Sequence, residues 1–170
     1  MAELLKGAPV ARALTEELAA RCAALRVRGV VPTLTIVRVG EREDDLSYER
    51  GALKRCEKVG IEARRVLLPA DVSQDELLAA IEDVNADSAV HGCLMFRPLP
   101  AGLDEDAVAA ALDPAKDVDS MTPASLLTAL SGRGNGFAPC TAEAVLAILD
   151  HYGVELDGAK VAVVGRSLVI

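Results

Sequence analysis

A glycine that follows a short apolar run near the end of the chain is the first feature that could do chemistry. Residues 161–164 are all apolar, and Gly165 comes directly after them. A buried strand that ends at a glycine allows backbone N–H groups to approach a phosphate closely. One glycine is a weak motif, and the same run is typical of an edge strand in a single domain. Residues 161–170 therefore predict the first strand of a nucleotide-binding unit, provided that other residues support a cofactor.

The segments that would position such a site alternate between helices and strands. Apolar residues recur at helical spacing over residues 8–26, and β-branched residues over 33–40 are typical of a strand. The acidic residues 41–45 are predicted to form a loop. Asp71 and Ser73 can cap a helix that ends near residues 85–87. The remaining predicted helices cover residues 47–59, 104–112, 123–130 and 141–152, and the remaining predicted strands cover 61–68, 90–96 and 161–170.

This alternation predicts an α/β fold with a parallel sheet and three layers. The strand-like segments lie about 25 to 30 residues apart, which is the spacing of right-handed crossovers through a helix. In sheets of this kind, ligands bind beyond the carboxyl ends of the strands. Candidate site residues are therefore expected in the segments that follow the strands.

Distinctive residues do occur in those segments. In chain order they are Tyr48, Pro98-Leu99-Pro100, Lys116-Asp117-Val118-Asp119 and Pro139-Cys140-Thr141. Taken in this order, from about residue 5 to the end of the chain, they resemble the methylenetetrahydrofolate dehydrogenase/cyclohydrolase family. The order and spacing of the set are more specific than any one of its motifs.

The resemblance implies a folate cleft. Pro98, Leu99 and Pro100 would form one wall, Asp119 would accept hydrogen bonds from the pterin ring, and Tyr48 would stack on the aminobenzoate ring. Tyr48 and Asp119 would then be the catalytic and substrate-binding pair. Other interpretations stay open: Asp119 as a solvated turn or capping carboxylate, Tyr48 as a half-buried core residue, and the prolines as strand terminators.

The resemblance also implies a nicotinamide cofactor, NADP or NAD. Gly165, Arg166 and Ser167 match the opening of the glycine-arginine-serine turn of the family, in which the arginine fork suits a 2′-phosphate, and Thr141 is assigned to the same site. The next glycine of that turn would be residue 171. We therefore expect a folate-binding domain over residues 1–140, a truncated cofactor-binding domain over 141–170, and no activity from the 170-residue chain alone.

Several positions depart from the family pattern. The lysine that drives the cyclohydrolase step corresponds to Ala52, and the glutamine that partners it corresponds to Phe96. Lys54 is the nearest substitute, but helical geometry turns it away from Tyr48. Residues 42–45 replace an aspartate-proline-alanine-serine run, and a glycine is replaced by Ser120.

We therefore expect dehydrogenase activity without cyclohydrolase activity. Hydrolysis needs a positioned proton-transfer group, whereas in hydride transfer the protein mainly orients the reactants. Two alternatives remain: a folate-binding or regulatory descendant without catalysis, and an unrelated α/β enzyme with a dehydrogenase-like substrate domain.

Composition narrows the classes of partner. The net charge of −8 argues against a nucleic-acid partner. No apolar stretch is long enough to cross a membrane and the N-terminus lacks a signal-peptide pattern, so a cytoplasmic location is expected. The cysteines lack the spacing of a metal site and are interpreted as reduced structural thiols, at positions Cys22, Cys56, Cys93 and Cys140. The sequence leaves open a homodimer of the full-length protein.

Overall fold

Three parallel strands form the sheet, in the order β2-β1-β3. The computed structural model describes residues 2–134 and 136–165. The strands are β1 (Thr33–Val39), β2 (Glu62–Leu68) and β3 (Gly92–Met95). Val37 of β1 lies opposite Val66 on one side and Met95 on the other. The α/β class and the parallel sheet expected from the alternation of segments are thus confirmed.

Helices cover both faces of the sheet, because alternate side chains of a strand point to opposite faces. Val37 and Val39 belong to the hydrophobic core that α3 and α4 complete. Between them, Arg38 faces the other way and pairs with Glu49 of α2. The helices in the described part of the chain are α1 (Gly7–Val27), α2 (Glu43–Val59), α3 (Gln74–Ala86), α4 (Glu105–Ala111), α5 (Pro123–Ser131) and α6 (Cys140–His151).

Local signals in the sequence account for several helix ends. Ser73 and Glu76 form a capping box at the start of α3. Asp104 and Thr122 cap α4 and α5 through their side chains. Helix α2 ends at Gly60, whose φ of 84° is left-handed and favours glycine.

The predicted acidic loop over residues 41–45 is wrong in its second half. Helix α2 begins at Glu43, so that Glu43, Asp44 and Asp45 form its first turn. Carboxylates are favoured there because they interact with the unpaired N–H groups and the positive end of the helix dipole. The turn that looked like a solvated connection is therefore part of the helix that carries Tyr48.

The predicted strand over residues 161–170 is not present in its described part. Residues 161–165 are exposed and have no regular secondary structure. A strand needs a hydrogen-bonded neighbour, and the described sheet contains β1, β2 and β3 alone. Residues 166–170, which include Arg166 and Ser167, lie outside the described residues.

Two further expectations from the sequence concern the state of the cysteines and the presence of a membrane-spanning segment. All four cysteines are free, and burial raises the pKa of the Cys93 thiol to about 12. None of the helices over residues 2–134 and 136–165 has both the length and the hydrophobicity needed to cross a membrane.

Candidate functional site

A cavity of about 330 Å³ lies between the first turns of α2 and the carboxyl end of β3. This is the edge of the sheet at which the strand topology predicts a ligand. Tyr48 and Asp119 both line it. The other lining residues are Arg42, Asp44, Asp45, Leu94, Met95, Phe96 and Arg97. The structure therefore brings the predicted aromatic residue and the predicted carboxylate to one hollow.

Tyr48 offers a free aromatic surface to this cavity. It is 63% exposed and lies on the second turn of α2. Its ring meets the buried Phe96 edge to face, with the centroids 5.3 Å apart and the planes at 78°. Because the edge contact leaves ring surface of Tyr48 exposed, a flat ligand can stack on it.

The position of Asp119 is set by its two buried neighbours, Lys116 and Asp117. The Lys116 ammonium donates to carbonyl oxygens of Val84, Asn85 and Asp87 at the end of α3, over 2.7, 2.8 and 2.8 Å. These bonds anchor the segment that leads to Asp119 against the C-terminal end of that helix.

Asp117 fixes the turn on the other side of Asp119. Its fully buried carboxylate accepts hydrogen bonds from the backbone N–H groups of Met121, at 2.9 Å, and Thr122, at 2.7 Å. The backbone of Asp117 also forms an isolated parallel β-bridge with Cys93 of β3. Lys116 and Asp117 thus serve the scaffold, while Asp119 is partly exposed at the cavity.

Ser120 adopts an unusual backbone conformation. Its φ is 56°, in the left-handed region, and its buried Oγ has no hydrogen-bond partner among the described residues. A side chain in this conformation is strained, whereas glycine is not. A serine at this position therefore carries a conformational cost that a glycine would avoid.

The electrostatic environment of Asp119 has opposing contributions. Burial raises the pKa of its carboxyl, and Arg97, whose Nη2 lies 3.9 Å from Oδ2, acts against that rise. The nearby Cys140 thiol, which donates to the carbonyl oxygen of Val118 at 3.1 Å, has a raised pKa through burial and the charge of Asp119. Asp119 is thus a partly desolvated acceptor beside a cation.

Pro98, Leu99 and Pro100 lie next to the cavity but do not line it. Leu99 packs against the hydrophobic core, and its N–H donates to Glu105 Oε2 at 3.1 Å. The Arg42 guanidinium donates to the carbonyl oxygen of Pro98 at 3.2 Å and so ties this segment to the start of α2. A wall formed by these three residues stays a prediction.

A second cavity, of about 510 Å³, adjoins the first at Asp44 and Tyr48, which line both. It is lined by Asp44, Ser47, Tyr48, Gly51, Ala52 and Arg55. Ala52, which is one helical turn beyond Tyr48 on α2, lines this second cavity. Phe96 lines the first cavity instead. Lys54 is exposed and lines neither cavity.

Arg97 and Arg42 are site residues that the sequence analysis missed. Arg97 stands between Phe96 and Pro98, directly after β3, and a cation at the carboxyl end of a strand is the signal that could have identified it. Arg42 lies within the range predicted to be a loop. Together they place two guanidinium groups beside Asp44, Asp45 and Asp119.

The nicotinamide site expected from the family resemblance stays a prediction. Thr141 is exposed in the first turn of α6, and Gly165 is exposed outside any helix or strand. Neither one alone makes a phosphate-binding turn, and Arg166 and Ser167 lie outside the described residues. Among the described residues, no group of three histidine, cysteine or acidic side chains could hold a metal ion.

Comparison with known proteins assigns the chain to a family. Residues 5–119 match the model of the tetrahydrofolate dehydrogenase/cyclohydrolase catalytic domain. The bifunctional protein FolD of Clostridioides difficile (strain 630) is 47% identical over 99% of this chain and 58% of its own length. The chain spans about three fifths of the length of the relatives that it matches.

Solved structures agree with the sequence match. The bifunctional FolD enzyme of Campylobacter jejuni aligns with a TM-score of 0.95 at 31% identity, over 99% of this chain and 60% of that one. The Trypanosoma brucei enzyme, complexed with NADP cofactor and inhibitor, aligns with a TM-score of 0.89 at 33% identity, over 99% and 58%. By sequence and by structure, the chain belongs to the tetrahydrofolate dehydrogenase/cyclohydrolase family.

Proposed function

We propose that this chain is the folate-binding part of a 5,10-methylenetetrahydrofolate dehydrogenase that uses NADP or NAD and lacks cyclohydrolase activity. The proposal rests on one observation: Tyr48 and Asp119 line one cavity together with Phe96, and Ala52 lines the adjoining cavity that Tyr48 also lines. We also propose that the folate-binding unit spans residues 1–140 and that residues 141–170 begin the cofactor-binding unit.

The cleft supplies recognition at two points. The exposed ring of Tyr48 can stack on the aminobenzoate ring, and the Asp119 carboxylate can accept from the N–H groups of the pterin. A folate held at both ends has its one-carbon bridge, which lies between the two rings, fixed in the cleft. Orientation of this kind lowers the barrier by removing motional freedom before the reaction.

The oxidation itself makes few demands on these residues. The methylene carbon gives up a hydride with its electron pair and becomes the methenyl carbon, and the nicotinamide cofactor supplies the acceptor. No side chain needs to move a proton in that step. The contribution of the described residues is therefore to bind and orient the folate.

We infer that hydrolysis of the methenyl bridge is lost because the positions at which the family resemblance places a lysine and a glutamine hold Ala52 and Phe96. A positioned acid or base in such a step contributes about a hundred- to ten-thousand-fold in rate. Ala52 has no proton to transfer, Phe96 is apolar, and Lys54 lines neither cavity. We therefore propose that this protein keeps the dehydrogenase activity named for its bifunctional relatives and lacks the cyclohydrolase activity.

The test is to assay both steps with the full-length protein. We expect cofactor reduction that depends on methylenetetrahydrofolate, with methenyl product that decays at its spontaneous rate. Methenyl hydrolysis well above that rate would contradict the loss of cyclohydrolase activity. Binding of folate without any cofactor reduction would favour the alternative, a folate-binding or regulatory descendant.

The Asp119→Asn variant tests, in both assays, whether the activity depends on the cleft. It keeps the size of the side chain but accepts fewer hydrogen bonds and has no charge. Loss of turnover in this variant, with an unchanged thermal unfolding midpoint, would tie the activity to the cleft.

A further inference from the structure

Arg97 is a cation of the cleft to which the proposed function gives no role. Its side chain is 28% exposed, and it lines the same cavity as Tyr48 and Asp119. Nη2 lies 3.9 Å from Asp119 Oδ2, and Nη1 lies 3.6 Å from Glu105 Oε1. The guanidinium is therefore held between two carboxylates from different parts of the chain.

Both of these distances are longer than a hydrogen bond. N–H···O bonds in proteins span about 2.7 to 3.2 Å, and Arg97 donates none to any other described residue within that range. The two carboxylates thus attract the guanidinium by charge, but its N–H groups form no hydrogen bond with them. An arginine mostly removed from water, with unused donors, is stabilised by a ligand that accepts from them.

Glu105 fixes the position of the guanidinium. It lies in the first turn of α4, where Asp104 caps the helix. Its Oε2 accepts from the N–H of Leu99 at 3.1 Å, which leaves Oε1 directed to Arg97. The link from α4 to Arg97 holds a donor group beside the acceptor group of Asp119.

We propose that Arg97 is a ligand-binding residue that donates to a ring carbonyl of the folate while Asp119 accepts from the adjacent N–H groups. The inference rests on the proposed function and adds to it a preference for a pterin with a carbonyl group at position 4. The 4-oxo pterin edge presents a carbonyl oxygen beside an amide N–H and an amino group. A guanidinium next to a carboxylate is complementary to that order of acceptor and donors.

The proposal predicts discrimination against a 4-amino pterin. Replacing the carbonyl by an amino group would place a donor opposite the Arg97 donors, and it would also remove the ring N–H that donates to Asp119. The part of the discrimination that depends on Arg97 is the part that is lost when Arg97 is replaced. Sites built to hydrogen-bond a ligand reject analogues that lack the partner, because the buried polar groups of the site are then unpaired.

The experiment compares the dissociation constants of folate and its 4-amino analogue, at a pH at which both rings are neutral. We define the selectivity as the constant for the 4-amino compound divided by that for folate. In the Arg97→Met variant, the selectivity should fall about ten- to a hundred-fold, the range for a hydrogen bond to a charged group. Arg21→Met, which removes an exposed arginine of α1, is the matched control and should not change it.

A second variant keeps the test decisive if Arg97→Met does not fold. Glu105→Gln retains an acceptor for Leu99 N–H but removes the charge that holds Arg97, and it should lower the selectivity by a smaller factor. Unchanged selectivity in a folded variant that still binds folate would overturn the inference and leave the proposed function intact. Failure of the unaltered protein to bind either compound would overturn the proposed function itself.

Discussion

Tyr48 and Phe96 contact each other edge to face beside the candidate cleft, with ring centroids 5.3 Å apart. Phe96 stands where the family resemblance places a glutamine, so an apolar ring replaces a polar amide beside the tyrosine. Ala52, one turn beyond Tyr48 on α2, lacks the amine that the amide would partner. On the family resemblance, these two replacements remove a lysine and a glutamine from the surroundings of Tyr48.

The first prediction is a gain of function. In the full-length protein, Ala52→Lys combined with Phe96→Gln should raise methenyl hydrolysis by about a hundred-fold or more, because it restores a proton-transfer group. The measurement is the rate of methenyl decay with and without the protein. Lys54→Ala is the control and should change nothing; no gain in the double variant, if it still binds folate, would contradict the role assigned to positions 52 and 96.

The second prediction concerns Asp119 and pH. Burial is the main cause that raises the pKa of this carboxyl, with Arg97 acting against it. The folded protein therefore binds the proton to higher pH than the unfolded chain does. Ionisation thus opposes folding as the pH rises through the raised pKa, and this penalty persists at neutral pH.

Asp119→Asn should consequently leave the thermal midpoint at neutral pH unchanged or higher, and the difference should disappear at acidic pH. Folate binding by the unaltered protein should weaken as the pH falls, beginning above the ordinary range of an aspartate. Unfolding curves and binding titrations across pH measure the two effects. A lower midpoint for the variant at neutral pH would show that the ionised carboxylate stabilises the fold.

The third prediction concerns Ser120, with its φ of 56° and its unpartnered buried hydroxyl. Ser120→Gly should stabilise the protein by about 1 kcal/mol, because it removes the left-handed strain and a buried polar atom at some cost in backbone entropy. Ser120→Ala removes the hydroxyl alone and should stabilise less. Denaturant unfolding of both variants separates the contributions; equal midpoints for the two would exclude a conformational effect.

The fourth prediction concerns the buried ion pair between β1 and α2. Arg38 Nε lies 2.7 Å from Glu49 Oε2, and both side chains are almost fully buried. Glu49→Ala should destabilise the protein by about 3 to 5 kcal/mol, since it leaves the Arg38 charge buried without its partner. Glu62→Ala, at the exposed pair with Arg64, should cost under about 1 kcal/mol. Similar losses in both variants would contradict the role of burial.

The fold was predictable where local chemistry decides it. The β-branched residues of β1 and the glycine that ends α2 predict those elements, and the structure has both. The start of α2 was missed because a run of charged residues is typical of a loop and of a first helical turn alike. The strand over residues 161–170 depended on neighbours that the described sheet does not provide.

The site was less predictable from the residues themselves. No local pattern relates Tyr48 to Asp119, and the expectation that they share a cleft came from the family resemblance. Arg97 was missed because its importance depends on carboxylates from two distant segments, Glu105 and Asp119. Such a relationship exists only once the chain has folded.

The segment from Lys116 to Asp119 has a consequence for how this cleft could evolve. Lys116 and Asp117 are committed to backbone partners, and Val118 lies so close to Gly92 that a Cβ there would meet its Cγ1 at 2.6 Å. Asp119, in contrast, has no such structural obligation. Substitutions at Asp119 can therefore alter ligand preference with little risk to the fold, whereas substitutions at its three predecessors in the chain would cost stability.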